Sequence, residues 1–170
     1  MNFRDRKTAP DGERNQWNDW NGHQHFKGII EVNGVVTGGN DLLVGGDDND
    51  NLYGGLSDDT LNGANTHEAG FGEKDHLVGG VGHNTFVLGD ETFAYYLGDG
   101  HDGYAVIKDF NQHEDTIELN DNAHYWLGSS NGNSYLYANN ENNGNWDKVA
   151  IIEDIHLDNH DLNGEGFEYV

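Results

Sequence analysis

Residues 36–90 read VTGGNDLLVGGDDNDNLYGGLSDDTLNGANTHEAGFGEKDHLVGGVGHNTFVLGD, and within them one nine-residue pattern returns in register. Written as G-G-x-G-x-D-x-U-x, with U a large apolar residue, it fits residues 45–53, 54–62 and 79–87, preceded by a partial unit, Asn40-Asp41-Leu42-Leu43-Val44. The acid position holds Asp41, Asp50, Asp59, Asp75 and finally Asn84; two residues on come Leu43, Leu52, Leu61, Leu77 and Phe86. A period of this kind outranks local propensity as a guide to architecture.

Each position has a physical reading. Glycines at the front of the unit permit tight turns with positive φ and inward-facing carbonyls. The last three residues suit a short strand with its middle side chain buried. Such a strand cannot stand alone, so units must stack, two to a coil, each strand pairing with the strand two units away. That stacking pairs the turn of Asp41 with that of Asp59, Asp50 with Asp75, and Asp59 with Asn84. Carbonyls and a carboxylate from one turn, doubled by the turn above, make an oxygen cage of the kind that the hard Ca²⁺ ion takes. The candidate metal ligands are Asp41, Asp47, Asp50, Asp59, Asp75 and Asn84, with Gly45, Gly54, Gly63 and Gly79 at the turns; Asp99 and Asp102 offer a further acidic turn. Between Gly63 and Asp75 lie eleven residues where a regular unit has four, an insertion carrying His67, Glu68 and Glu73 that bears on the Asp50/Asp75 pair. Asn84 keeps a carbonyl oxygen but loses the charge, which predicts a weaker site or the end of the array.

The repeat resembles the haemolysin-type, or RTX, calcium-binding family of parallel β-rolls, found in secreted bacterial toxins, proteases, lipases and epimerases. YAVIKDFNQHEDTIEL (104–119) is similar to the strand pair that follows such repeats, and WLGSS (126–130) with VAIIED (149–154) resembles, more loosely, small cyanobacterial proteins of the family. The resemblance implies an all-β fold: a parallel β-roll over 36–90, an N-terminal lead and cap over 1–35, and an antiparallel β cap over 91–170. It also implies secretion through a one-step exporter that reads an uncleaved C-terminal signal.

Composition agrees with a cation-dependent fold. Thirty-one acids against eight Lys and Arg leave a net charge of −23, so a compact state repels itself unless cations sit within it. Residues 1–27 hold five of the basic residues and carry +1; the rest carries −24. That body makes nucleic acid an unsuitable partner. Cysteine is absent, so disulfides say nothing of compartment, and no apolar run is long enough for a signal peptide or a membrane span.

In 91–170, strands are expected at 93–97, 104–110, 115–119, 124–127, 134–137 and 148–154, with hairpin signals at Asn131-Gly132 and Asn143-Gly144. Their aromatics, Tyr95, Tyr96, Tyr104, Phe110, Tyr125, Trp126, Tyr135 and Tyr137, are expected to fill a core, the alternative being a platform for stacking sugars. An extracellular polysaccharide is therefore the second candidate partner after calcium. His23 with His25, His156 with His160, and the EF-hand-like start at Asp161 read as solvated turns. G-x-S-x-G, H-E-x-x-H and P-loop motifs are missing, and the reading leans away from an enzyme. A catalytic alternative would require a cleft in the C-terminal part lined by His124, Asp109 or Glu118.

Overall fold

The computed structural model describes residues 39–64, 69–98, 101–139 and 145–170. The lead and cap expected over 1–35, the pair His67 and Glu68, Asp99, and the Asn143-Gly144 turn lie outside the described residues. Within them the chain is all-β. Eleven strands are joined by turns and one 3-10 turn, Asp161–Asn163. No helix among the described residues is long and apolar enough to cross a membrane.

The first seven strands alternate between two sheets. β1 (Leu42–Gly46), β3 (Thr60–Ala64), β5 (Thr85–Val87) and β7 (Thr116–Leu119) form one ladder, which β11 (Phe167–Tyr169) completes. β2 (Asn51–Leu56), β4 (Lys74–Val81) and β6 (Tyr104–Ile107) begin the other, extended by β10 (Asp147–Ile152), β9 (Asn133–Asn139) and β8 (His124–Ser130). Every pairing down to β10 on one side and β11 on the other is parallel, each strand lying beside the one that follows a full turn later. The sheets do not join into a closed barrel.

Register follows the apolar position of the repeat. Leu43 pairs with Leu61, Leu61 with Phe86 and Phe86 with Ile117 in one sheet; Leu52 pairs with Leu77 and Leu77 with Ile107 in the other. Leu52, Leu61, Leu77, Phe86, Ile107 and Ile117 are all wholly buried, and the ring of Phe110 meets Phe86 edge-on at 6.2 Å. Leu43, at the start of the stack, is only half-buried because the strand register gives it a partner on one side alone.

Three expectations for the C-terminal half are corrected. The antiparallel arrangement expected throughout 91–170 holds only for β8, β9 and β10; β6, β7 and β11 continue the parallel ladders. The Asn131-Gly132 turn, with φ of 53° and 87°, twists as a two-residue hairpin does and forces β8 against β9. The connections into β6 and β7 are long enough to cross between the sheets instead. Residues 93–97 do not form a strand: Ala94 makes one bridge to Gly89, and Tyr96 turns the chain at φ 58°. Two successive strand side chains cannot face the same core, whereas this turn buries both Tyr95 and Tyr96. Trp126 is 44% exposed rather than in the core, because Leu127 faces Leu136 inward and alternation sends Trp126 and its partner Tyr137 outward.

Phe86→Ala removes a wholly buried ring and is expected to lower stability by about 3–5 kcal/mol. Trp126→Ala should cost a small fraction of that. Urea unfolding of both variants checks the pair; equal losses would contradict the burial pattern.

Candidate metal centre

The turns that join the strands are held together by the acids of the repeat. The backbone N–H of Asp41 donates to Asp59 Oδ1 at 2.8 Å, that of Asp50 to Asp75 Oδ1 at 2.8 Å, and that of Asp59 to Asn84 Oδ1 at 3.1 Å. These are the three pairs that the spacing predicts. A fourth follows, Asn84 N–H to Asp115 Oδ1 at 2.8 Å. Asp115 starts the strand expected at 115–119. Its signal was present: Asp115-Thr116-Ile117 repeats Asp59-Thr60-Leu61 and Asn84-Thr85-Phe86. The peptide bonds interlock at the same level, since Thr60, His76, Thr85 and Thr116 donate to the carbonyls of Asp41, Asp50, Asp59 and Asn84 at 2.7–2.8 Å.

The first glycine of each unit is required by what lies against it. A Cβ on Gly54 would sit 2.5 Å from Asp59 Oδ2 and 2.5 Å from the Gly79 carbonyl oxygen; one on Gly45 would run into the Asp50 carboxylate and lie 2.6 Å from the Gly63 oxygen. Each carboxylate thus folds back over its own first glycine, against a carbonyl of the next coil. The fourth position takes positive φ whatever its side chain: Asp48 at 72°, Ser57 at 82° and Gly82 at 142°.

The insertion after Gly63 leaves Asp75 in register with Asp50. Tyr96 anchors its far end, where its N–H donates to the Ala69 carbonyl at 2.6 Å and its ring packs on Gly70. The Tyr96 hydroxyl then donates to Asp75 Oδ2 at 2.6 Å. Glu73, part of the insertion, returns to the turn and accepts the Asp48 N–H at 3.1 Å. Glu73 is the residue that the nine-residue pattern could not assign, because it stands outside that period.

After these bonds, both carboxylate oxygens of Asp50, Asp59 Oδ2 and Glu73 Oε2 are buried with no hydrogen-bond partner. Asp50 is wholly buried, Asp59 nearly so, and Glu73 is 8% exposed. Burial, with the charges of Asp75, Glu73, Asp48 and Asp47 added, pushes Asp50 up to about 8. Burial and then Asp75 raise Glu73 to about 7. Asp59 rises to about 6 through burial, opposed by the Asp41 N–H. Asp75 is raised by burial and held back by the Tyr96 hydroxyl.

Among the described residues no three acid or histidine side chains form a ready-made metal-holding group; the candidate sites are pairs of carboxylates set against glycine carbonyls. On the Asp59 side, a groove of about 340 Å³ is lined by Asn40, Asp41, Asp58, Asp59 and His83. Asp47 is half-buried and Asp48 exposed beside the Asp50 turn, while Asp102 is exposed in the bend that leads into β6. The three residues of the catalytic alternative occupy separate elements. His124 begins β8, Glu118 lies on β7 in the other sheet, and Asp109 accepts the N–H groups of Gly79 and Gly80 at 2.9 and 2.7 Å. The Ser129 and Ser134 hydroxyls donate to the Leu157 and Ile155 carbonyls. The Asp161 carboxylate accepts from Asp158 N–H and Gln112.

A scan against protein-family models finds no match to this chain, and a search of curated proteins finds none.

The raised carboxylates fix the sign of a pH effect. Between the ordinary value of 3.8 and about 8, Asp50 keeps its proton in the folded state and loses it in the unfolded state, so stability falls as pH rises. Metal-stripped protein is therefore expected to lose stability progressively from about pH 4 to about pH 8, the range set by Asp50 and Glu73. Asp50→Asn should flatten the profile. Circular dichroism of the metal-stripped protein across the range tests this, and a β signal that grows with pH would contradict it.

Proposed function

We propose that this protein is a secreted, non-enzymatic calcium-binding protein of the RTX type, built as a parallel β-roll that Ca²⁺ folds and holds together. One observation carries the reading. The Asp50 carboxylate is wholly buried, neither oxygen has a hydrogen-bond donor, and it lies against a carbonyl of the next coil with Glu73 bearing on it. Burying an ionised group in this way costs several kcal/mol unless an opposite charge accompanies it. Among the described residues that environment offers more acids and no lysine.

The donor set selects the ion. Carboxylates and peptide carbonyls are hard oxygen ligands, and there is no cysteine to favour a softer metal. Asp50 and Glu73 with the Gly63 carbonyl would hold one ion, and Asp59 with the Gly79 carbonyl another; bound there, Ca²⁺ supplies positive charge and irregular coordination by oxygen. The two carbonyls belong to the coil after Asp50 and Asp59, so an ion ties successive turns together. The net charge of −23 supports the same reading, because the folded chain concentrates repulsion that bound cations relieve. Extracellular modules of this chemistry bind calcium at about 0.1–1 mM, so such sites fill outside cells and stay largely empty at cytosolic calcium.

Chelation is expected to abolish the β-type circular dichroism of the repeat, and added Ca²⁺ to restore it. Each site contributes about 2.7 kcal/mol when calcium stands at a hundredfold its Kd. Mg²⁺ should substitute poorly, since it holds its water and demands octahedral geometry. Asp50→Asn and Asp59→Ala should raise the calcium midpoint more than Asn84→Ala, which removes no charge. Spectra unchanged in chelator would overturn the proposal.

A further inference from the structure

The outward face of the six-stranded sheet differs from the rest of this chain in charge. Alternation along β4, β6, β10, β9 and β8 leaves Lys74, His76 and Val78, Tyr104 and Val106, Lys148 and Ile151, Tyr135 and Tyr137, and His124, Trp126 and Gly128 pointing away from the core. None of the outward positions on these five strands is Asp or Glu, in a chain with 31 acids. The three lysines among the described residues, Lys74, Lys108 and Lys148, lie on this face or at its margin. Glu153, just past β10, is paired with Lys108 at 3.1 Å.

Five of these side chains form one row across the strands. Trp126 is registered opposite Tyr137, Tyr137 opposite Lys148, and Tyr104 opposite Lys74. The Lys148 ammonium stands 3.5 Å over the Tyr104 ring and closes the row, with Lys74 5.1 Å from the same ring. A row over five strands spans four gaps of ~4.8 Å, about 19 Å in all. At one end, the Trp126 ring reaches Gly128, where a Cβ would meet its Cη2 at 2.7 Å. The residue is 44% exposed, and Tyr137 flanks it at 5.2 Å.

We propose that this row binds an acidic, uronate-bearing polysaccharide laid across the strands. Sugar rings stack on Trp126 and Tyr137, and sugar carboxylates meet Lys148 and Lys74. Charge complementarity chooses the occupant: an acid-free strip with lysines at one end and a ring platform at the other suits a chain that alternates uncharged ring faces with carboxylates. A nucleic acid fits less well, since neutralising successive phosphates takes many basic groups and this face offers three lysines on an acidic body. The inference is independent of the calcium reading, because none of the row's residues is a candidate ligand.

The test is calorimetric titration of calcium-loaded protein with a hyaluronan octasaccharide and with hexagalacturonate, against cellohexaose and a thymidine oligonucleotide. At least one uronate probe is expected to bind saturably. Trp126→Ala and Lys148→Gln should each weaken that binding at least tenfold, with the calcium midpoint of folding unmoved because both side chains lie outside the turns. Failure of both uronate probes would overturn the proposal, as would equal or tighter binding of cellohexaose or the oligonucleotide, or variants that bind like the parent. A shift of the calcium midpoint in both variants would assign the row to the fold and also count against it.

Discussion

A carboxylate sealed from water without a proton donor is among the costlier things a fold can contain, and this fold repeats it. At Asp59 one oxygen, Oδ1, is consumed by the N–H of Asp41 in the preceding coil, and Oδ2 is left beside Gly54 and the Gly79 carbonyl. At Asp50, which begins its ladder, both oxygens are left without a donor. The hydrogen bond sets the register of one coil on the next; the leftover oxygen creates a demand for positive charge. Both follow from a single aspartate five residues after a glycine.

The apolar column depends on the same device. Leu61 and Phe86 can lie one above the other only if the turns before them stack at the spacing of paired strands, and those turns begin with the acid-to-amide bonds. Removing the charge compensation should therefore loosen the core as well as the turns, even though no core residue is charged. The ends of the array are handled differently. Asn84 offers an amide nitrogen, bonded to Asp115 at 3.1 Å, where its neighbours offer a second carboxylate oxygen. Asp109 reaches back to hold the N–H groups of Gly79 and Gly80 from beyond the repeat.

Much of this was legible in the chain. Coincidence of glycine, acid and apolar residue in one register located the strands between Leu42 and Val87, assigned alternate strands to separate ladders and named the three turn pairs. What escaped has physical causes. The ladder continues through Thr116 and Phe167 because long crossovers, invisible to a nine-residue period, return the chain to the stack. Tyr95 and Tyr96 resemble a strand in composition, and only the positive φ at Tyr96 separates the two. Glu73 reaches the Asp50 turn from an insertion, and an insertion has no position in a repeat. Trp126 faces out because its neighbour Leu127 has the better partner inside, a choice fixed across the hairpin rather than along it.

The most direct test of the central claim is the anomalous diffraction of crystals grown with calcium. The account predicts a cation bridging successive coils at the unpaired oxygens of Asp50 and Asp59, with Glu73 among the ligands of the former. Crystals in which those carboxylates remain buried, ordered and without a cation at saturating calcium would contradict it.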